Sequence, residues 1–119
     1  MAMDWKEMVI EVPRGTDNWG PYTFDFKDVA HPLIPENNEI TSVEVKAYNG
    51  LVDKNDDYTT ATEITDYIID GFSVVDGQYV NVYFQHNEAA SGTHTLIFFV
   101  NIDQPDSVRP FYFYGVKIY

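Results

Sequence analysis

The sequence predicts an all-β domain built as an antiparallel sandwich of about seven or eight short strands. Runs rich in β-branched and aromatic residues recur along the whole 119-residue chain, and turn-forming residues separate them at fairly regular spacing. No long segment carries the 3.6-residue apolar period of an amphipathic helix. That pattern points to two packed sheets with Greek-key connections, with a closed barrel as the alternative architecture. The chain contains no cysteine, which excludes a disulfide framework, a zinc–thiolate site, a thiol nucleophile and a sandwich stapled between its sheets.

The first strand is expected at Met8-Val9-Ile10-Glu11-Val12, after a polar N-terminal arm, residues 1–7, that reads as frayed. Pro13 and the turn-prone Arg14-Gly15-Thr16-Asp17-Asn18 end it. Gly20-Pro21 opens Tyr22-Thr23-Phe24-Asp25-Phe26, whose alternation sends Tyr22, Phe24 and Phe26 inward and Thr23 and Asp25 outward. Between residues 27 and 39, Pro32 and Pro35 suit neither a helix interior nor a central strand, so this stretch is a connection. Residues 40–48 form the cleanest amphipathic strand, with Val43, Val45 and Ala47 toward the core and Ser42, Glu44 and Lys46 toward solvent. Asn49-Gly50 supplies the positive-φ residues of a tight turn.

Residues 64–70 fit either a strand or a short helical turn, and Gly71 ends them. Phe72-Ser73-Val74-Val75, the Asp76-Gly77 turn and residues 78–85 make a hairpin, with Val80, Val82 and Phe84 on one face and Tyr79, Asn81 and Tyr83 on the other. The runs 93–102 and 110–119 flank a polar, proline-containing spacer and form a closing hairpin. Neither run alternates strictly. Leu96, Phe98, Val100 and Ile102 share one face of the first, with Ile97 and Phe99 on the other. In the last run Tyr112, Tyr114, Val116 and Ile118 share one side, with Phe111, Phe113 and Tyr119 opposite.

A sandwich buries one face of each strand, so the second apolar face needs a cover. Residues 103–109 and the N-terminal residues could supply it from within. The alternative is an interface with a protein partner or a second copy, for which Ile97, Phe99, Phe111 and Phe113 are the candidate residues. Trp5 and Trp19 are further candidates, because a rigid ring offers large contact area at small entropic cost. They could equally pack over an open end of the sandwich.

With no internal repeat, low-complexity tract or long linker, residues 1–119 read as one domain. Nineteen acidic against seven basic side chains give a net charge of −12. That charge repels phosphate backbones and anionic lipid, so neither nucleic acid nor membrane is an expected partner. No apolar run approaches the roughly 20 residues a membrane helix needs, and Asp4, Lys6, Glu7 and Glu11 argue against a signal peptide.

Chemical motifs are sparse. Asp53-Lys54-Asn55-Asp56-Asp57 begins like a calcium loop, but Tyr58 stands where that loop needs glycine and Ile64 where it needs glutamate. A looser calcium site and a solvated acidic loop remain the two readings of residues 53–57. His86 and His94 flank residues 87–93 with Glu88 between them, the raw material of a two-histidine, one-carboxylate site, although surface histidines are the plainer reading. His31 has no local partner. No Gly-x-Ser-x-Gly elbow and no phosphate-cradling glycine loop occurs. The expectation is a protein without catalytic, cofactor or metal residues.

The order Tyr22-Thr23-Phe24-Asp25-Phe26, a proline-containing link through Leu33, Glu39-Ile40-Thr41-Ser42-Val43-Glu44-Val45 and a turn at Gly50 resembles the front half of small immunoglobulin-like proteins of tailed bacteriophages. Ser91-Gly92-Thr93-His94-Thr95-Leu96, leading a long strand, and Phe111-Tyr112-Phe113-Tyr114-Gly115-Val116-Lys117-Ile118 resemble their back half. Residues 51–62 have no counterpart in that order. The resemblance implies an immunoglobulin-like fold and a non-enzymatic structural or accessory component of the virion head, neck or tail, made in the host cytoplasm and acting through protein assembly. Aromatic residues make up 16% of the chain, which keeps open an alternative, a small carbohydrate- or surface-binding adhesin module with a glycan ligand.

Overall fold

A computed structural model of the chain describes residues 5–15, 19–27, 34, 38–52, 58–103 and 108–119. Seven strands form two sheets: β1 (Trp5–Val12), β2 (Trp19–Asp25), β3 (Ile40–Tyr48), β4 (Ile69–Val75), β5 (Tyr79–Phe84), β6 (Gly92–Ile102) and β7 (Val108–Ile118). The larger sheet has the order β1-β7-β6-β3 and the smaller β2-β5-β4. With β2, β4 and β5 in one layer and β3, β6 and β7 in the other, the connections cross repeatedly between sheets as in an immunoglobulin domain. The sandwich is not wholly antiparallel, because β1 runs parallel to β7, pairing Trp5 with Tyr112 and Val12 with Ile118. Residues 5–7 therefore belong to a ladder rather than to a frayed arm.

The ambiguous stretch 64–70 resolves into both of its readings in succession. A single helical turn, α1 (Thr65–Ile68), runs directly into β4. It is anchored by backbone and side chain together, since Ile64 donates its N–H to the Ala47 carbonyl and the Thr65 hydroxyl accepts from the Ala47 N–H. Ile68 is thereby delivered into the core. The β4–β5 hairpin closes through Asp76 (φ 55°) and Gly77 (φ 64°), with Gln78 N–H bonded to the Val75 carbonyl. Two consecutive left-handed residues define the turn type that matches strand twist. At Gly77 a Cβ would also lie 2.8 Å from the Glu39 Cβ, so glycine is required for space as well as for torsion.

Between the sheets lies one continuous core. Phe24 and Phe26 of the small-sheet side meet Phe98, Phe111 and Phe113 of the large sheet, with ring centroids 4.7 Å apart for Phe24 and Phe98 and 4.8 Å for Phe98 and Phe113. Phe26 meets Phe111 edge to face at 5.4 Å. Such tilted contacts place positive ring edges against negative faces and add to the area each ring removes from water. Ile10, Val12, Val45, Ala47, Val80, Val82, Phe84 and Leu96 fill the spaces around them.

Phe111 and Phe113 are core residues, only 1% and 2% exposed, which corrects their expected placement on a second, outward face. The reason is a bulge. The β6–β7 register shifts between His94 and Thr95, pairing them with Val116 and Tyr114, so Gly115 (φ 109°) is the extra residue. An extra residue flips the face parity of everything beyond it. Phe111 and Phe113 before the bulge and Val116 and Ile118 after it consequently all point inward.

Phe98 touches rings from both layers, so Phe98→Ala is expected to cost about 3–5 kcal/mol in denaturant unfolding. A loss below about 1 kcal/mol would contradict this packing.

Candidate functional site

Beside the main core, Ile97 on the other face of β6 is fully buried, and Tyr48 and Val52 bury with it. Tyr58, Ala61 and Phe99 pack against them. Tyr58 meets Phe99 edge to face at 5.4 Å and Tyr48 at 5.7 Å, and the Lys46 ammonium sits 5.9 Å from the Phe99 ring centre. The chain after β3 thus supplies the cover. Neither of the two covers anticipated, residues 103–109 and the N-terminal residues, lies in this cluster among the described residues.

Two side chains of β6 pin that cover in place. The Thr95 hydroxyl donates to the Gly50 carbonyl at 2.8 Å and accepts the Val52 N–H at 3.0 Å. Buried His94 accepts the Gly50 N–H at Nδ1 (3.2 Å) and faces the Ala90 carbonyl with Nε2. These partners assign the neutral tautomer with its proton on Nε2. Nearby, the Glu44 carboxylate, 3.6 Å from the Lys46 ammonium, holds the lysine above its ordinary pKa, with Glu63 at 3.8 Å adding to it. Burial raises the Tyr48 phenol.

The residues singled out from sequence therefore do not assemble into one exposed patch. Ile97 lies under the cover, Phe99 is half-buried beside it, and Phe111 and Phe113 are in the core. Trp19 packs against the core, stacked on Tyr22 at 6.5 Å and tilted toward Phe84 at 6.2 Å. The side chain of Trp5 lies outside the described residues, as do His31 and the acidic stretch 53–57. His94 has both ring nitrogens engaged by backbone, and His86 contacts the Tyr119 carbonyl through Nε2. Among the described residues no group of three His, Asp or Glu side chains is placed to hold a metal ion.

Among the described residues, the smaller sheet ends at β4 with no further strand bonded to it. Each sheet has two edges, and the four differ in how they are guarded. Strand β2 carries Pro21, which cannot donate to a ladder. Strand β3 is bridged at its C-terminal end by the following chain, through Tyr48 with Glu63 and Asn49 N–H to the Thr62 carbonyl, and it contains Lys46. Strand β1 has a register shift between Glu7 and Ile10 and contains Lys6. Strand β4 also has a register shift, between Ile69 and Gly71, but from Gly71 to Val75 its register is continuous, and it contains no proline, lysine or arginine.

Large apolar side chains are exposed on and beside that edge, Tyr67 at 48%, Phe72 at 40% and Val75 at 37%. Asp66, Asp70 and Asp76 are exposed around them. Residues 55–108 contain no lysine or arginine at all. This charge asymmetry was readable from the sequence as a gap between Lys54 and Arg109, but the net charge alone conceals it. On the outer face of the same sheet, half-buried Tyr79, Asn81 and Tyr83 form a strip, with the Thr23 hydroxyl donating to Asn81 Oδ1 at 2.7 Å.

At the loop end of the sandwich, Asp103 accepts Asn38 Nδ2 at 2.9 Å and the Glu39 N–H at 3.0 Å. The Asn38 bond, followed by the Glu39 bond, holds its carboxyl below the ordinary value. The fold is an immunoglobulin-like sandwich in which, among the described residues, no strand pairs with the outer side of acidic β4. No protein-family model, curated protein or solved structure matches the chain.

Because the Ile97 cluster is internal, Ile97→Ala is expected to cost about 2–5 kcal/mol of folding stability and to leave sedimentation unchanged. A second outcome follows from Asp103. Its folded pKa is depressed, so its stabilisation is complete above the ordinary 3.8 and disappears as pH falls through the lower folded value. Asp103→Ala should therefore melt earlier than the unsubstituted protein at pH 7, and the two melting curves should converge toward pH 2. A gap that persists at acid pH would contradict the assignment.

Proposed function

We propose that this chain is a non-enzymatic virion structural or accessory protein, a component of head, neck or tail that works through protein–protein assembly. The observation that carries the assembly part is the β4 edge, where an open ladder coincides with exposed Tyr67, Phe72 and Val75. Soluble domains ordinarily guard such edges with proline, lysine, a bulge or a covering segment; the only such feature in β4 among the described residues is the register shift before Gly71, and the regular stretch after it can pair with another chain. The virion part rests on the resemblance of strand order and spacing to small immunoglobulin-like phage proteins.

A second reading, a glycan-binding adhesin module, draws on the Tyr79-Asn81-Tyr83 strip. Alternating residues along a strand share a face, so the two tyrosine positions lie about 13 Å apart along the backbone with a polar amide between them. Rings over a polar sheet face suit sugar C–H groups and hydroxyls.

Sedimentation velocity of the purified protein mixed with purified head, neck and tail proteins separates the two. Assembly predicts a larger species that Phe72→Thr with Val75→Thr abolishes, at a stability cost of about 1 kcal/mol or less because both side chains are partly exposed. Glycan-array binding that Tyr79→Ala and Tyr83→Ala remove, with no protein complex formed, would favour the adhesin module.

A further inference from the structure

We propose that the free edge of β4 receives an extended segment of a partner protein as an added strand, and that this segment carries lysine or arginine at both ends of an alternating apolar centre. The inference rests on the assembly reading above and adds to it a binding mode and a partner chemistry.

The backbone sets the mode. From Gly71 to Val75 every residue of β4 is in register with β5, running from Gly71 with Tyr83 to Val75 with Tyr79. On the opposite side of the same strand no further strand is paired among the described residues, so its alternate N–H and C=O groups face outward there. Five residues of strand span about 17 Å, enough for a short ladder in the manner of β-strand addition. An added strand would restore the hydrogen bonds that an edge leaves to water.

The side chains set the pattern. Phe72 and Val74 pair with Val82 and Val80, whose side chains are buried, so they lie on the inner face of the sheet. Val74 packs against the core, whereas Phe72 is 40% exposed. Apolar side chains of an incoming strand would extend the core layer alongside Phe72. Its alternate residues would lie on the outer face, beside Ser73 and Val75.

Charge selects the occupant. Asp70 and Asp76 bracket the ladder, Asp66 is exposed on the turn that precedes it, and no lysine or arginine occurs anywhere between residues 55 and 108. A second copy of this chain would bring the same aspartates against them, and like charges face to face oppose pairing. Basic residues at the two ends of an incoming segment would meet Asp70 and Asp76, and the net charge of −12 would speed their encounter at low salt.

The test uses a synthetic nine-residue peptide with two lysines at each end and alternating valine and threonine between them. Two control peptides replace the lysines by glutamates or place a proline at the central position. The proposal expects the lysine peptide to bind, the proline peptide to bind at least ten-fold more weakly, and the glutamate peptide not to bind. It expects amide protection and NMR shifts concentrated at residues 70–76. Asp70→Lys with Asp76→Asn, substitutions at exposed sites that leave the core intact and keep a residue tolerant of the left-handed turn at 76, should weaken binding at least ten-fold. Equal binding of the lysine and proline peptides would mean charge attraction without strand addition and would overturn the proposal. Shifts confined to another edge would overturn the β4 assignment while leaving the assembly reading standing. A dimer of the unsubstituted protein that Phe72→Thr dissolves would give the edge to a second copy and overturn the basic partner. A lysine peptide that fails to bind, in a protein that still joins purified virion proteins in sedimentation, would overturn this partner chemistry alone.

Discussion

Strand β6 is apolar on both faces, and the rest of the molecule is arranged to keep water from both. Its inner side chains, Leu96, Phe98 and Val100, enter the space between the sheets, where Phe24, Phe26, Phe111 and Phe113 close around them. Its outer Ile97 forces a second solution, because a sandwich offers a strand only one interior. The chain after β3 folds back over that face, bringing Val52, Tyr58 and Ala61. A segment laid over a sheet has backbone groups of its own to satisfy. Gly50 and Val52 find their partners in His94 and Thr95, on the same strand that needs covering. The strand that needs the cover thus supplies its anchors, in the adjacent residues His94 and Thr95.

The same strand explains why the apolar excess does not produce a broad sticky surface. Once Ile97 and Phe99 are covered and the bulge at Gly115 has turned Phe111 and Phe113 inward, the large exposed apolar side chains among the described residues are few. Three of them, Tyr67, Phe72 and Val75, fall at or beside the β4 edge. Charge and apolar exposure therefore coincide where the backbone is also open.

The strands were legible wherever one face is wet. Residues 43–47 alternate because one face of β3 meets the core there, with Tyr48 beyond them buried in the outer cluster, and the Asp-Gly pair at 76 and 77 marked its hairpin because few other residues tolerate two left-handed positions in succession. Period two failed at β7, where a single bulge reverses the faces and nothing in Tyr114-Gly115-Val116 distinguishes a bulge glycine from an ordinary one. The segment 64–70 resisted because it is both a helical turn and a strand start, and each is too short to show a period. The cover over Ile97 stayed hidden for a different reason. Residues 49–61 are too irregular to read, and an apolar outer face looks the same in sequence whether a loop or another molecule lies on it. The expected interface residues followed from that ambiguity, and the open edge was missed because edges are a property of sheet order, which only the pairing reveals.

The parallel pairing of β1 with β7 gives the domain a definite mechanical character. Parallel strands enter and leave a ladder at opposite ends, so tension drawn between the start of β1 at Trp5 and the end of β7 at Ile118 runs along the ladder rather than across it. A ladder pulled lengthwise must break its bonds together, whereas one pulled sideways unzips them singly. The two outermost strands of the sequence are therefore joined in shear, and the sandwich behind them is shielded from load until that joint fails.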